Sequence, residues 1–178
     1  MTEAVHRLCQ YVEEGRILRH RWSDGGSEGW KKVCLLTALE PMCAVEMSPN
    51  ACPEDVLPAW VAHLTPWMND AGSENAWPTV VRRYAAVIGK VGAWTPEQSA
   101  AAEERALQII RAEAHPIEER RAWAPGRSAL SAVLTAADLA NRVGIRAVHD
   151  TSVLSRLLAM EAFADRVIDR ILADWEET

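Results

Sequence analysis

The sequence predicts an all-α protein of six or seven helices, several of them short and proline-segmented, with a long C-terminal helix. Three observations carry that expectation. Large apolar residues recur at intervals of three and four along most of the chain, the spacing of one helical face. Ser, Thr, Pro and Gly punctuate those runs in the order that opens and closes helices. The last stretch, about 152–175, carries Leu154, Leu157, Ala164, Ile168, Ile171 and Trp175 in a near-3.5 repeat, interrupted by Glu161.

Thr2 caps a first helix whose inner face is Val5, Leu8, Cys9 and Val12, and Gly15 ends it. Residues 16–22 have no clear period, and SDGGSEG is a loop by composition. The run WKKVCLLTALEP is short; Leu35, Leu36, Ala38 and Leu39 tip it towards helix, and MCAVEMSPNA reads as a connecting loop. In residues 52–70, Pro53 followed by Glu54 and Asp55, then Pro58, then Thr65-Pro66, predict two or three short helices in series, jointed at the prolines. Leu57, Trp60, Val61, Leu64, Trp67 and Met68 keep helical spacing through them, so the segment reads as a core wall.

Ser73 is placed to cap the next helix, whose stripe is Trp77, Val80, Val81, Tyr84, Val87, Ile88 and Val91, and Gly92 stops it. TPEQ at 95–98 is a complete capping box with Pro at the first helical position, and that helix is expected to end near Ala114, before Pro116. Ser128 opens a further helix closed by Gly144, and Asp150 caps the last one. The best seam lies near 92–95, dividing an N-terminal helical core (1–94) from a C-terminal helical subdomain (95–178) packed on it.

With 178 residues and 49% hydrophobic content, the chain has enough apolar material for a real core. A net charge of −6 argues against direct binding of nucleic acid, which demands a basic surface, and leaves room for a basic protein partner. The N-terminus is charged and lacks an apolar leader, and no run reaches the length of a membrane span. These features predict a cytoplasmic protein without membrane contact, whose four cysteines are free thiols.

Candidate chemistry is sparse. Cys34, Cys43 and Cys52 are spaced by nine with His63 beyond them, but the close ligand pairs that zinc prefers are missing. A thiolate nucleophile would draw on His63 or His20 as base. His149-Asp150, with His115 and Asp169, resembles the ligand set of HD-type metal-dependent phosphohydrolases, an alternative in which those four residues hold the metal. Asp165 and Asp169 share a helix face, though the plainer reading is a charged outer surface with Arg170 paired to Asp174. DGGSEGWKK fails the phosphate-loop pattern, and neither G-x-S-x-G nor G-x-G-x-x-G occurs. No cofactor is expected.

Eight tryptophans stand against one Phe and two Tyr, and the cations are nearly all Arg, a bias that fits codon pressure in a GC-rich genome. Trp22, the Gly-rich loop, CLLTAL and LTPWMND, in that order before Ser73, resemble a pattern in small uncharacterised proteins of GC-rich bacteria and their phages. The resemblance spans about residues 20–90 and implies no established activity.

The functional expectation is a non-enzymatic protein–protein interaction module, in its sharper form an acidic phage-type inhibitor of a basic bacterial protein. The interaction residues expected are Leu157, Ile168, Ile171 and Trp175 on the last helix, which would pair two copies as a homodimer, with Trp94 and Trp123 at segment ends. Aspartate at Leu157 and Ile171 is then expected to separate the copies and leave the N-terminal half folded. A further alternative is a small-ligand pocket between a Trp60/Trp67 wall and the helix that begins at Trp77.

Overall fold

Thr2 opens the first helix as expected: its hydroxyl accepts from the Val5 N–H at 3.4 Å, and α1 runs Glu3–Glu13. Gly15, at φ +65°, closes it. Its N–H reaches the Val12 carbonyl and the Arg16 N–H reaches that of Tyr11, the bond pair of a Schellman ending. This computed structural model describes residues 2–25, 29–114 and 153–178. Within them follow α2 (Leu35–Leu39), α3 (Met42–Val45), a 3₁₀ turn (Pro49–Ala51), α4 (Ala59–Asp70), α5 (Trp77–Val91), α6 (Pro96–Ala114) and α7 (Val153–Glu177). The fold is all-α. The helix expected from Ser128, with His115, Trp123, His149 and Asp150, lies outside the described residues.

Segment 16–24 returns beside 32–34 through two isolated bridges, Ile17 with Val33 in parallel and Ser23 with Val33 antiparallel. The Asp24 carboxylate closes the Gly-rich loop by accepting the N–H groups of Lys31 and Lys32 at 3.1 and 3.0 Å. The bridges deliver Cys34 to the start of α2. There its sulfur takes the capping role usually filled by oxygen, accepting the Thr37 N–H at 3.4 Å. Every residue of α2 is buried, as a helix apolar on all sides must be. It packs between α1 and α4. Its last carbonyls, with no donors of their own, are met by Arg7 from α1, which bonds the carbonyls of Ala38 and Leu39.

The 41–52 connection is more ordered than a loop: α3 and the 3₁₀ turn occupy most of it. After a lone turn in which Val56 and Leu57 bond back to the Pro53 carbonyl, α4 starts behind Pro58 and runs unbroken through Pro66. The predicted joint at Thr65-Pro66 is therefore corrected. Pro66 deprives the Ala62 carbonyl of its usual donor, yet seven side chains of α4 are buried, and that burial outweighs the local cost. Thr65 braces the turn: its hydroxyl donates to the Val61 carbonyl at 2.8 Å and lies 2.7 Å from the Tyr84 hydroxyl on α5. Burial pushes the Tyr84 phenol far above its ordinary pKa, so it stays a neutral partner.

The end of α4 ties down segment 16–22. Arg19, whose side chain is nearly buried, donates to the carbonyls of Asn69, Asp70 and Gly72, and to the exposed Glu74 carboxylate. A guanidinium there meets orphan carbonyls at the negative end of the helix dipole. Asn69 donates to the Leu18 carbonyl at 2.9 Å, and Asp70 accepts the His20 N–H at 2.8 Å. Arg19→Ala is expected to cost about 2–3 kcal/mol in urea unfolding, because it strips charge-assisted bonds from carbonyls that stay half-buried. Glu74→Gln should cost less than about 0.5 kcal/mol, since that carboxylate is solvated.

Ser73 caps a turn ahead of the helix, its hydroxyl accepting the Ala76 N–H at 3.2 Å, and α5 itself begins later than expected, with Pro78 in its first turn. At the other end Gly92 is required by contact: a Cβ there would stand 2.7 Å from the Val56 carbonyl oxygen. The capping box of α6 forms in both directions, Gln98 N–H to the Thr95 hydroxyl at 3.3 Å and Thr95 N–H to the Gln98 side chain at 2.9 Å.

The last helix, α7, lies against α5 and α6. Ala164, Val167, Ile168, Ile171, Leu172 and Trp175 are buried there, in one apolar core with residues on both sides of the 92–95 seam. Cross-helix ion pairs border the seat: Arg83 with Asp169 and Glu176, Arg105 with Asp174, and Arg166 and Arg170 with Glu113. The expected pairing of Arg170 with Asp174 along one helix is replaced by these longer-range partners.

Candidate functional site

Trp175 organises the chain's main aromatic cluster. Its ring meets Trp60 at 5.9 Å and Trp94 at 6.0 Å, both edge to face, and Tyr84 at 6.4 Å. Trp60 and Trp94 stack at 6.4 Å with planes 13° apart. These are favourable aromatic geometries. Trp175 is fully buried, whereas Trp94 is half-buried and Trp60 nearly covered, and these two line an open groove of about 600 Å³.

Three elements shape the groove. The start of α4 supplies Pro58, Ala59, Trp60 and His63, one helical face, with Glu54 from the turn before it. The α5–α6 turn supplies Trp94 and Pro96. The first turns of α6 add Ser99, Ala100 and Glu103, spaced so that they share a face. The Trp60 indole N–H donates to the Ser99 hydroxyl at 3.0 Å, stitching α4 to α6 across the floor. His63 bonds through Nε2 to the Asn50 side-chain oxygen at 2.8 Å, and burial lowers its pKa. Among the described residues, no Lys or Arg lines the groove.

A second feature lies at the surface. The exposed large hydrophobics among the described residues are Met42, Val45 and Met47, at 46, 63 and 73% exposure. All three fall within one short stretch on α3 and its exit. Met47 also holds a left-handed φ of +49°, a conformation that costs a side-chain-bearing residue about 1 kcal/mol or more. Glu46 is exposed between the last two, and Glu40 turns back to accept the Met42 N–H at 2.9 Å.

The sequence-predicted residues fall elsewhere. Ile168, Ile171 and Trp175 are buried against the chain's own α5 and α6, so a partner could reach them only by lifting α7 off that seat. Of the remaining interaction residues, Trp94 reaches the groove, Trp123 lies outside the described residues, and Leu157 is on α7 where its backbone alone is described. Cys34, Cys43, Cys52 and His63 do not gather into a metal site, and no group of three His, Cys, Asp or Glu among the described residues is placed to hold one. Cys34, Cys43 and Cys52 are buried free thiols, and Cys9 is a half-buried one. Burial pushes the Cys34 thiol up; Cys43 is raised by donating a hydrogen bond to the Cys52 sulfur and by burial, and the same bond lowers Cys52.

Asp169 is exposed and paired with Arg83 at 2.6 Å, so it does not face inward as an HD-type ligand would. Asp165 accepts the Ser73 N–H at 2.9 Å, so the two aspartates serve different partners. Of the residues expected around a ligand pocket, Trp60 lines a groove facing α6, while Trp67 and Trp77 pack partly buried against the core.

Sequence reasoning missed the groove's polar residues and the apolar surface. The spacing of Pro96, Ser99, Ala100 and Glu103 was visible as one face of α6, but not that α4 stands across from it. Met42, Val45 and Met47, apolar residues in a stretch read as a loop, were a usable signal. No helix among the described residues is long and apolar enough to cross a membrane. No family model, curated protein or solved structure matches this chain.

Proposed function

We propose that this chain is a non-enzymatic protein–protein interaction module that docks a basic partner through its 42–47 surface. The observation that carries the reading is the confinement of exposed large hydrophobics, among the described residues, to Met42, Val45 and Met47. Scattered apolar side chains need no explanation, but a cluster of them marks a contact surface. Methionine suits such a surface because its unbranched thioether adapts to the partner's shape. Glu46 beside it and the overall charge of −6 favour a basic counterpart. The finer form of the proposal is an inhibitor of a basic, nucleic-acid-handling bacterial protein, of the kind phages carry.

The test compares the wild-type chain with a Met42→Ser, Val45→Ser, Met47→Gly variant as bait in bacterial lysate, over a salt titration. Glycine at 47 relieves the left-handed strain, so Met47→Gly alone is expected to raise stability by up to about 1 kcal/mol while removing apolar contact. A captured basic protein that is lost both with the variant and with rising salt supports the proposal. Retention indifferent to both overturns it.

A further inference from the structure

Cys43 and Cys52 face each other across a tight reversal of the chain. α3 closes on Met47, whose left-handed φ of +49° lets the Ser48 N–H return to the Cys43 carbonyl at 3.1 Å, the long bond of a Schellman ending. The Ser48 hydroxyl then opens the 3₁₀ turn by accepting the Asn50 N–H at 3.2 Å, and the Cys52 N–H closes it on the Pro49 carbonyl at 3.1 Å. α3 packs on this turn, and His63 of α4 holds it through Asn50. The reversal brings the two thiols together: Cys43 donates its S–H to the Cys52 sulfur, and Cys52 turns its own towards the Pro53 carbonyl at 3.9 Å. We infer that Cys43 and Cys52 are a redox pair that hydrogen peroxide closes to a disulfide, fixing the stretch that carries Met42, Val45 and Met47. That chemistry is independent of any partner for the surface.

Each sulfur has its own part. Cys52 keeps 7% exposure and Cys43 none, so the oxidant meets Cys52 first. The hydrogen bond from Cys43 favours the Cys52 thiolate, against burial and the nearby acids Glu40 and Asp55. That sulfur attacks one peroxide oxygen and the O–O bond breaks. Hydroxide leaves and takes up the proton that Cys52 lost, and Cys52 becomes a sulfenic acid. The Cys43 sulfur then attacks the Cys52 sulfur, the S–O bond breaks, and hydroxide departs as water with the Cys43 proton. The pair has given up two electrons and two protons, and the peroxide has become two waters. The sulfurs, already in hydrogen-bond contact, need only close to about 2.05 Å. Cys34 stands apart: its sulfur caps α2, bonded to the Thr37 N–H at 3.4 Å and hydroxyl at 3.3 Å. Cys9 is half-buried on α1.

The experiment treats the full-length, reduced chain with hydrogen peroxide, then unfolds it and alkylates the remaining thiols. Glu46 lies between the two cysteines, so cleavage at glutamate separates them unless a disulfide joins the fragments. Mass spectrometry is expected to find the Cys43 and Cys52 fragments linked, lighter by about 2 Da than the free pair, with Cys34 still alkylated. Cys43→Ser, whose hydroxyl can still donate to Cys52, is expected to abolish the link and leave at Cys52 a sulfenic acid that dimedone captures. Cys52→Ser is expected to leave Cys43 reduced. Hydrogen exchange of backbone amides across 44–51 is expected to slow about tenfold in the linked chain, because the closed ring has fewer open states. Cys43 and Cys52 both alkylated once Cys9 has oxidised, or either of them linked to Cys34, overturns the pairing. Dimedone on Cys43 in Cys52→Ser overturns the order of attack, and unchanged exchange overturns the restraint. The wild-type fragments decide the pairing even where a variant fails to fold.

Discussion

Ile171→Asp is expected to unfold the chain rather than to separate copies of it. Ile171 is fully buried on α7, in the seat formed by α5 and α6. A carboxylate there would enter an apolar site, and the described residues offer Ile168, Leu172 and Trp175 as neighbours on its own helix. The penalty for a buried, unpaired charge is about 3–5 kcal/mol, a large part of the roughly 5–15 kcal/mol that holds a typical domain together. Urea unfolding followed by far-UV circular dichroism is expected to show loss of cooperative structure at pH 7. A variant that keeps wild-type stability and changes only its mass in solution would restore the expectation of a chain-pairing stripe. Rising acidity offers a second check on the mechanism. A buried Asp has a raised folded-state pKa, so neutralising it at lower pH should recover part of the loss, whereas at pH 7 the full penalty applies.

Trp175→Ala is the second large effect, expected at about 3–5 kcal/mol. The removed ring touches Trp60, Trp94 and Tyr84, so the cavity opens at the junction of α4, α5, α6 and α7. Trp175→Phe should cost markedly less. The indole N–H of Trp175 has no hydrogen-bond partner among the described residues, so phenylalanine gives up volume but no bond. Equal losses for the two variants would show that contact with Trp60 and Trp94 is not what the ring contributes.

Those two residues illustrate how far the sequence could be read. The periodicity of 164–175 correctly marked an apolar face of α7, since Ala164, Ile168, Ile171 and Trp175 are all buried. What covered the face was not legible, because a stripe records that a side is apolar and carries nothing about its partner. Partners from distant parts of the chain were hidden for the same reason. Asp169 looked available for a metal until Arg83, far away in the chain, was found beside it. Trp60 was assigned to the core wall, and it does line the core, but its Ser99 bond and its place in the groove depend on α6 crossing its helix. The LTPWMND stretch closes α4 as scaffolding: Asn69 and Asp70 hold Leu18 and His20.

What the sequence determined by itself were the local decisions: Thr2 and Gly15 bounding α1, and the reciprocal Thr95–Gln98 cap that opens α6. Each is settled within a few residues by backbone groups that need partners close at hand. The tertiary structure alone decided that α4 would run through Pro66, that Arg7 and Arg19 would close helices they do not belong to, and that α7 would bury its stripe at home. The physical reason is range: a cap or a turn is satisfied by its neighbours, whereas the burial energy that overrides a proline, or seats Trp175 against Trp60 and Trp94, comes from elements brought together only by the completed fold.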